Sequence, residues 1–479
     1  MAAARVARRS EMHEAPATRG GAVVNAPSRR ARPGALLAIC AGFALGLPTG
    51  MTTLRLMASG SAQTPTPDRS PARAAVAAPA TLAAPATLAA RATLSPGAAA
   101  ALSAGLKTAI ARGDVPGAVV LVVNRDGVLF HESVGKLDVA RGTAMPKDAI
   151  FRIASMTKPI TSLVVMQLIE EGKLRLEDSV AMYVPAWSDA KVISTFDEAS
   201  ARYQTKVTAR PITIQHLLTH TSGLGYAWSN PRLAAIQKAS GLADLDLPLV
   251  HEPGARFTYG ASTRVLGQVV ERITGQGIDA ALQARVLGPL GMTDTSFEVP
   301  GGKHQRLVTV HQRTVSAPGG RLVEQPNPAV HPATVRGDGG LVSTATDYGR
   351  FLRMLLNGGT LDGRRIAAER TVREMTSNHL GGLKVERQPA ADAARSKPYP
   401  LGAGVDTWGL GFQLAARPTS PTARGEGSYS WAGINNTHFW VDPTRQIGVV
   451  VLMQVLPFYD DNALALLTEV ERLVNTQLR

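Results

Sequence analysis

Hydrophobic positions fall into three regimes along this 479-residue chain. Residues 1–34 show no apolar period and are rich in Ala and Arg. Residues 35–47 are an unbroken apolar run that ends at Pro48. Regular periods set in near residue 98. Ala98–Arg112 predicts a helix. Pro116–Val123 and Val128–Val134 are apolar, β-branched runs separated by Asn124-Arg-Asp-Gly127, and the Asp-Gly step predicts a hairpin. Ser155–Glu171 predicts a helix that is apolar nearly all round, hence buried, with Gly172 as its stop. Helical patterns follow at Ile212–Thr219, Thr263–Thr274, Asp279–Leu287 and Thr346–Leu356. Strand patterns return at Trp408–Leu414, Thr437–Val441 and Ile447–Met453, and Asn462–Leu478 closes with a helix. Strands at both ends with helices between them predict an α+β fold. The expected arrangement is one sheet assembled from both ends of the chain, with an inserted mostly α domain. A cleft between the two parts is the expected place for a site.

Composition changes this picture mainly at the N-terminus. The formal charge is +14, but positions 1–100 hold 11 Arg, no Lys and three acidic residues, a balance of +8. The remaining 40 basic and 34 acidic residues leave only +6. No basic stripe with interleaved aromatics occurs in the body, so no nucleic-acid partner is expected. The run at 35–47 is short for a spanning helix, which needs about 20 residues, and suits a signal-peptide core or an anchor behind arginines. The expected organisation is a basic leader with signal peptide or membrane anchor (1–62), an Ala/Pro linker (63–97) and a folded body (98–479). In the linker Ala78-Pro-Ala-Thr-Leu-Ala83 repeats as Ala84–Ala89. The protein is therefore expected to be exported, periplasmic or secreted, with membrane anchoring through 35–47 as the variant. The single cysteine, Cys40, rules out an intramolecular disulfide and a cysteine-based metal site.

Ser-x-x-Lys occurs at Ser133–Lys136, Ser155–Lys158 and Ser188–Lys191. The first ends a strand and the third sits in a loop. Only the second opens a buried helix, where serine and lysine share one face about a turn apart. A lysine denied water has a lowered pKa and can act as a base. A helix N-terminus favours the anion that a deprotonated serine becomes. The local residues leave a plain alternative open, with Ser155 as an N-cap and Lys158 reaching back to solvent.

Ser155-Met-Thr-Lys158-Pro159 resembles the active-site motif of the serine β-lactamase and penicillin-binding-protein superfamily, and most of all its class C β-lactamase-like carboxylesterases. Four further stretches are similar to that family and stand in its order: Leu217–Leu224, Pro253-Gly-x-x-Phe257-x-Tyr259, Gly339–Asp347 and Trp431–Pro443. The resemblance implies a β-lactamase-like (DD-peptidase/transpeptidase) fold, an antiparallel sheet flanked by helices. It implies Ser155 as nucleophile, Lys158 as the cation that helps take its proton, and Tyr259 as general base in phenolate form. The oxyanion hole would be the N–H groups of Ser155 and Ile434.

Two departures bear on the substrate. Ala261 stands where the family has a substrate-binding amide. Trp431-Ala432-Gly433 stands where the family has the lysine and hydroxyl that hold a carboxylate, a task that wants a cation. Both point to an esterase that cleaves small neutral esters through a Ser155 acyl-enzyme. The alternatives are a β-lactamase or D-alanyl-D-alanine peptidase, and a noncatalytic cell-wall-binding protein. The implied partner is a small-molecule ester, shaped by loops such as Ser188–Arg210 and Gly381–Val405, and the oligomeric state is left open. No cofactor and no metal are expected. His216 and His220 have helical spacing without a Glu in metal-binding register, and His438 reads as a core or supporting residue. No Gly-x-Ser-x-Gly elbow occurs, which disfavours an α/β-hydrolase.

Overall fold

The computed structural model of the chain describes residues 92–314, 320–327, 334–399, 401–418 and 420–479. These residues belong to one unit, Ala83–Arg479. The basic leader, the 35–47 run and the linker through residue 91 lie outside the described residues. Among the described residues no helix is long and apolar enough to cross a membrane.

Eight strands build the main sheet: β1 (Gly117–Asn124), β2 (Val128–Asp138), β3 (Thr143–Ala144), β4 (Thr407–Trp408), β5 (Gln413–Leu414), β6 (Tyr429–Gly433), β7 (Thr437–Asp442) and β8 (Ile447–Leu452). They lie in the order β4-β5-β6-β7-β8-β1-β2-β3, and every pairing is antiparallel. The N-terminal hairpin therefore docks on the C-terminal strands, with Val119 opposite Leu452 and Val123 opposite Gly448.

The apolar run of β1 has a simple cause. Successive strand residues face opposite sides, and here both sides are covered. Ala118, Val120 and Val122 pack with helices α1 (Ala98–Ala111) and, at the chain's end, Asp461–Gln477. Val119, Leu121 and Val123 pack on the other face with the helical middle. That middle holds α2 (Thr157–Glu170), α3 (Ser262–Thr274) and α4 (Ala345–Leu356). A strand covered on both faces has no polar positions to alternate with.

Several boundaries differ from expectation. Ser155 does not begin α2. A single 3₁₀ turn, Ala154–Met156, precedes it, and the α-helix starts at Thr157. Pro159 then falls in the first turn, where its missing N–H costs nothing. Trp408–Leu414 is not one strand. Gly411, at φ +110°, turns the chain between β4 and β5. Asp279–Leu287 is α-helical only through Leu282 and then forms a π turn. The expected loop 188–210 is mostly a hairpin, Lys191–Phe196 against Tyr203–Val207.

Candidate active site

Lys158 lies on the buried side of α2 and is only 2 % exposed. Its amine meets three oxygens: the Asp338 backbone carbonyl at 2.7 Å, Ser155 Oγ at 3.1 Å and the Tyr226 hydroxyl at 3.2 Å. As an ammonium the amine donates to all three. The Asp338 carbonyl can only accept. The Tyr226 hydroxyl already donates to the Asp338 carboxylate at 2.6 Å, so towards lysine it accepts. A neutral amine has two N–H donors and one lone pair, and these two acceptors use both donors. When the amine loses its third proton, a lone pair becomes available towards Ser155 Oγ, to which it otherwise donates.

Electrostatics bring that neutral amine within reach near neutral pH. Burial pushes Lys158 down to about 7, against a partial upward pull from Asp338, while Arg264 and Arg336 add to the fall. Asp338 is itself buried, yet Lys158, Arg264 and the Tyr226 hydroxyl hold its carboxyl below the usual range despite the cost of desolvation. Arg264 on α3 approaches it at 3.1 Å.

The chain of bonds continues on the other side of the serine. The Tyr259 hydroxyl is hydrogen-bonded to Ser155, and the indole N–H of Trp431 donates to the Tyr259 oxygen at 3.1 Å. Burial raises Tyr259 above the ordinary tyrosine range, although the bonds from Ser155 and Trp431 oppose the rise. A resting phenolate, expected from the sequence, is therefore disfavoured. Lys158 is the group that loses its proton near neutrality. Its amine lies 4.9 Å from the Tyr259 ring centroid.

The backbone around the serine is tightly built. Ala154 adopts φ +45°, a left-handed conformation that costs an L-residue about 1–2 kcal/mol. Strain of that kind is held at sites where position matters. Gly433 on β6 has no room for a Cβ, which would strike the Ile153 carbonyl and Thr437 Oγ1. That contact brings the next residue, Ile434, to the cleft. Gly260 has the same role beside Tyr259, where a Cβ would strike the Leu224 carbonyl.

Ser155 and Ile434 line one cleft of about 240 Å³, together with Ala154, Tyr226, Trp228 and Asp338. The remaining expected substrate residues are elsewhere. Ala261 is fully buried, stands at the N-cap of α3 and does not line the cleft, and the adjacent Ser262 Oγ pairs with the buried Ser222 Oγ at 2.9 Å. Trp431 turns its indole to Tyr259. With Ala432 it lines a separate cavity of about 510 Å³ that also borders His438 and Leu467 but not Ser155. The histidines are structural in placement. His216 completes a capping box with Thr213. His220 packs against Tyr259 and Trp408. His438 is buried and pushed down to about 3 by desolvation. No group of three or more His, Cys, Asp or Glu among the described residues is placed to hold a metal ion.

Tyr226, Arg264 and Asp338 were not foreseen. The signal for Asp338 was its position directly before Gly339-Gly340, a turn recognised as a landmark. Nothing in the sequence links Tyr226 or Arg264 to a lysine on another helix.

A serine hydroxyl facing a desolvated amine, at the edge of an antiparallel sheet, defines an enzyme of the serine hydrolase type. The chain belongs to the Beta-lactamase family, whose profile matches residues 91–471. It is 31% identical over 405 residues to esterase EstB of Burkholderia gladioli, covering 76% of this chain and 91% of that protein. It is 28% identical to monacolin J acid methylbutanoyltransferase of Aspergillus terreus, covering 74% and 90%. The structure of a simvastatin synthase mutant from Aspergillus terreus superposes with a TM-score of 0.69 at 24% identity, covering 80% of this chain and 95% of the other. The fold is thus the β-lactamase-like one, and its relatives handle esters.

Proposed function

We propose that this enzyme hydrolyses carboxylic esters through an acyl-enzyme on Ser155. The carrying observation is the placement of Lys158, a buried amine that touches Asp338 O, Tyr226 Oη and, at 3.1 Å, Ser155 Oγ, so that two N–H groups suffice for the first two once it is neutral. In this reading the neutral amine takes the serine proton as Oγ attacks the ester carbonyl. The oxyanion is held by the Ser155 and Ile434 N–H groups, and loss of one such donor typically costs about 100- to 1000-fold. Collapse breaks the ester C–O bond, and the departing alkoxide takes the Tyr259 proton. The transient phenolate is stabilised by the Trp431 N–H and the Lys158 ammonium. It then takes a proton from water, which attacks the acyl carbon. Ser155 leaves with the proton held on Lys158, and each group returns to its first state.

EstB is named for esterase activity, which supports ester cleavage over β-lactam cleavage. So does the Trp431-Ala432 pair in place of a lysine and a hydroxyl. The methylbutanoyltransferase among the relatives supports a second fate for the acyl group, transfer to an alcohol instead of water. The proposed location is outside the cytoplasmic membrane, on the strength of the 35–47 run.

The test is a panel of short p-nitrophenyl esters, nitrocefin and a D-Ala-D-Ala peptide, with Ser155→Ala as control. Esters should turn over at least about 100-fold faster than nitrocefin, and Ser155→Ala should lose on the order of 10⁴-fold while remaining folded. Comparable nitrocefin and ester rates would sink the esterase reading. Added alcohol that diverts product to a new ester would reveal transfer.

A further inference from the structure

Charged groups in the cleft do not balance. Arg264, Arg336, Arg395, Asp244 and Asp338 all line it. Arg264 takes both acids, at 3.4 Å from Asp244 and 3.1 Å from Asp338. Arg336 reaches Asp338 only at 3.8 Å and is 47% exposed, against a carboxylate already held by Arg264 and Tyr226. Arg395 has no carboxylate within ion-pair distance among the described residues. Its guanidinium stands 6.0 Å from the ring centroid of Trp228, which lines the same cleft. Two guanidinium groups therefore border the cleft that holds Ser155, Arg395 without an acid and Arg336 on the margin of an acid it shares with Arg264.

We propose that Arg336 and Arg395 read a carboxylate on the substrate, so that the ester cleaved at Ser155 carries an acid group remote from its scissile carbonyl. This rests on the esterase reading and narrows it. The neutral substrate expected from the sequence follows from β6 alone, where Trp431 and Ala432 offer no cation. The cation comes instead from the segments around 336 and 395. A planar guanidinium fork matches a carboxylate and can bond it by two N–H groups at once. The indole beside Arg395 offers an aromatic or alkyl body a surface while the acid is held. Both arginines are solvent-exposed, so the attraction should weaken with salt.

The test uses the full chain carrying Ser155→Ala, in which binding is measured without turnover. Two ligand pairs separate the position of the acid. One is 4-acetoxybenzoate against its methyl ester, with the acid on the alcohol side. The other is mono-p-nitrophenyl adipate against its methyl ester, with the acid on the acyl side. By calorimetry at low salt, one of the two acids should bind about tenfold more tightly than its methyl ester. The gap should shrink at 0.5 M salt and when Arg336→Gln or Arg395→Gln is added. Equal affinities within both pairs, no binding of either acid at millimolar concentration, or a gap that survives both arginine changes would each overturn the proposal. Turnover of the methyl esters by the unmodified protein reports separately on the Ser155 reading.

Discussion

Ser133-x-x-Lys136 on β2 and Ser155-x-x-Lys158 at the entry to α2 have the same spacing and opposite surroundings. On an extended strand, residues three apart face different sides. Lys136 stands in solvent and donates only to the Gly142 carbonyl at 2.9 Å, and Ser133 serves the sheet opposite Val119. On the 3₁₀-to-α entry, the same spacing turns both side chains one way. Lys158 is buried among Tyr226, Tyr259 and the Asp338 carbonyl. The motif therefore supplies only a distance. In the proposed mechanism reactivity comes from the removal of water around the amine, which lets it lose its proton near neutral pH. A third copy, Ser188-x-x-Lys191, leads to an exposed lysine at the start of a hairpin, and nothing around it desolvates the charge.

Exchange of the two lysines for arginine tests that difference most directly. A guanidinium stays protonated at any working pH and cannot accept the serine proton. Lys158→Arg should cost about 10³-fold in kcat/KM on a neutral ester, within the range of a lost general base, while Lys136→Arg should stay within about twofold. The unmodified enzyme adds a pH signature. Lys158 is pushed down to about 7, and in the proposed mechanism the active form is the unprotonated one. Activity should be full above that pH and fall as pH drops through about 7. Tyr259, raised by burial, should add no falling limb on the alkaline side below pH 9. An acid limb near the ordinary lysine range would show that the amine is not desolvated as its contacts indicate.

Tyr259 and Trp431 sharpen the same contrast, since only the α2 serine has a second hydroxyl and an indole behind it. Tyr259→Phe should cost about 100- to 1000-fold, mostly in kcat, because the leaving alkoxide loses its proton donor. Trp431→Phe keeps the packing against Tyr259 but removes one N–H. About tenfold in kcat is expected, the value of one hydrogen bond to developing charge. If Trp431→Phe instead raised KM with kcat intact, Trp431 would belong to the substrate wall, as first expected from its sequence position.

The sheet, its assembly from both chain ends and the buried helix could be read in advance, because each rests on local periodicity. β1 and α2 are apolar for a reason visible in any short window. The pair Ser155 and Lys158 was singled out among three copies by that buried helix, and its role was given by the resemblance. Asp338, Tyr226 and Arg264 were not legible. They come from three separated segments, and their relation to Lys158 exists only after α2 and α3 pack. Ala261 and Trp431 do not line the cleft beside Ser155, for a related reason. A linear motif fixes which residues stand near a site but not which way a side chain turns, and the inward Ser262–Ser222 pair and the Tyr259 hydroxyl set those directions.

Asp338→Asn gives the smallest expected change and separates charge from shape. The carboxylate raises Lys158 towards its ordinary range, while burial, the larger influence, lowers it. An amide keeps an oxygen that can accept the Tyr226 hydroxyl proton, and the backbone carbonyl that holds Lys158 is unaltered. Loss of the charge should therefore lower the lysine further and move the acid limb of kcat/KM to lower pH by about one unit. On the plateau above pH 8 the rate should remain within about threefold. Arg264 would keep Asp244 as its only acid, and a stability loss of about 3 kcal/mol is expected from the broken buried pair, visible as a lower Tm. A limb that moved upward would mean that Asp338 acts through the position of Tyr226 and not through its charge. Lys136, with no carboxylate at ion-pair distance among the described residues and no burial to lower it, has no counterpart to this shift, and that asymmetry is the contrast between the two motifs at its finest scale.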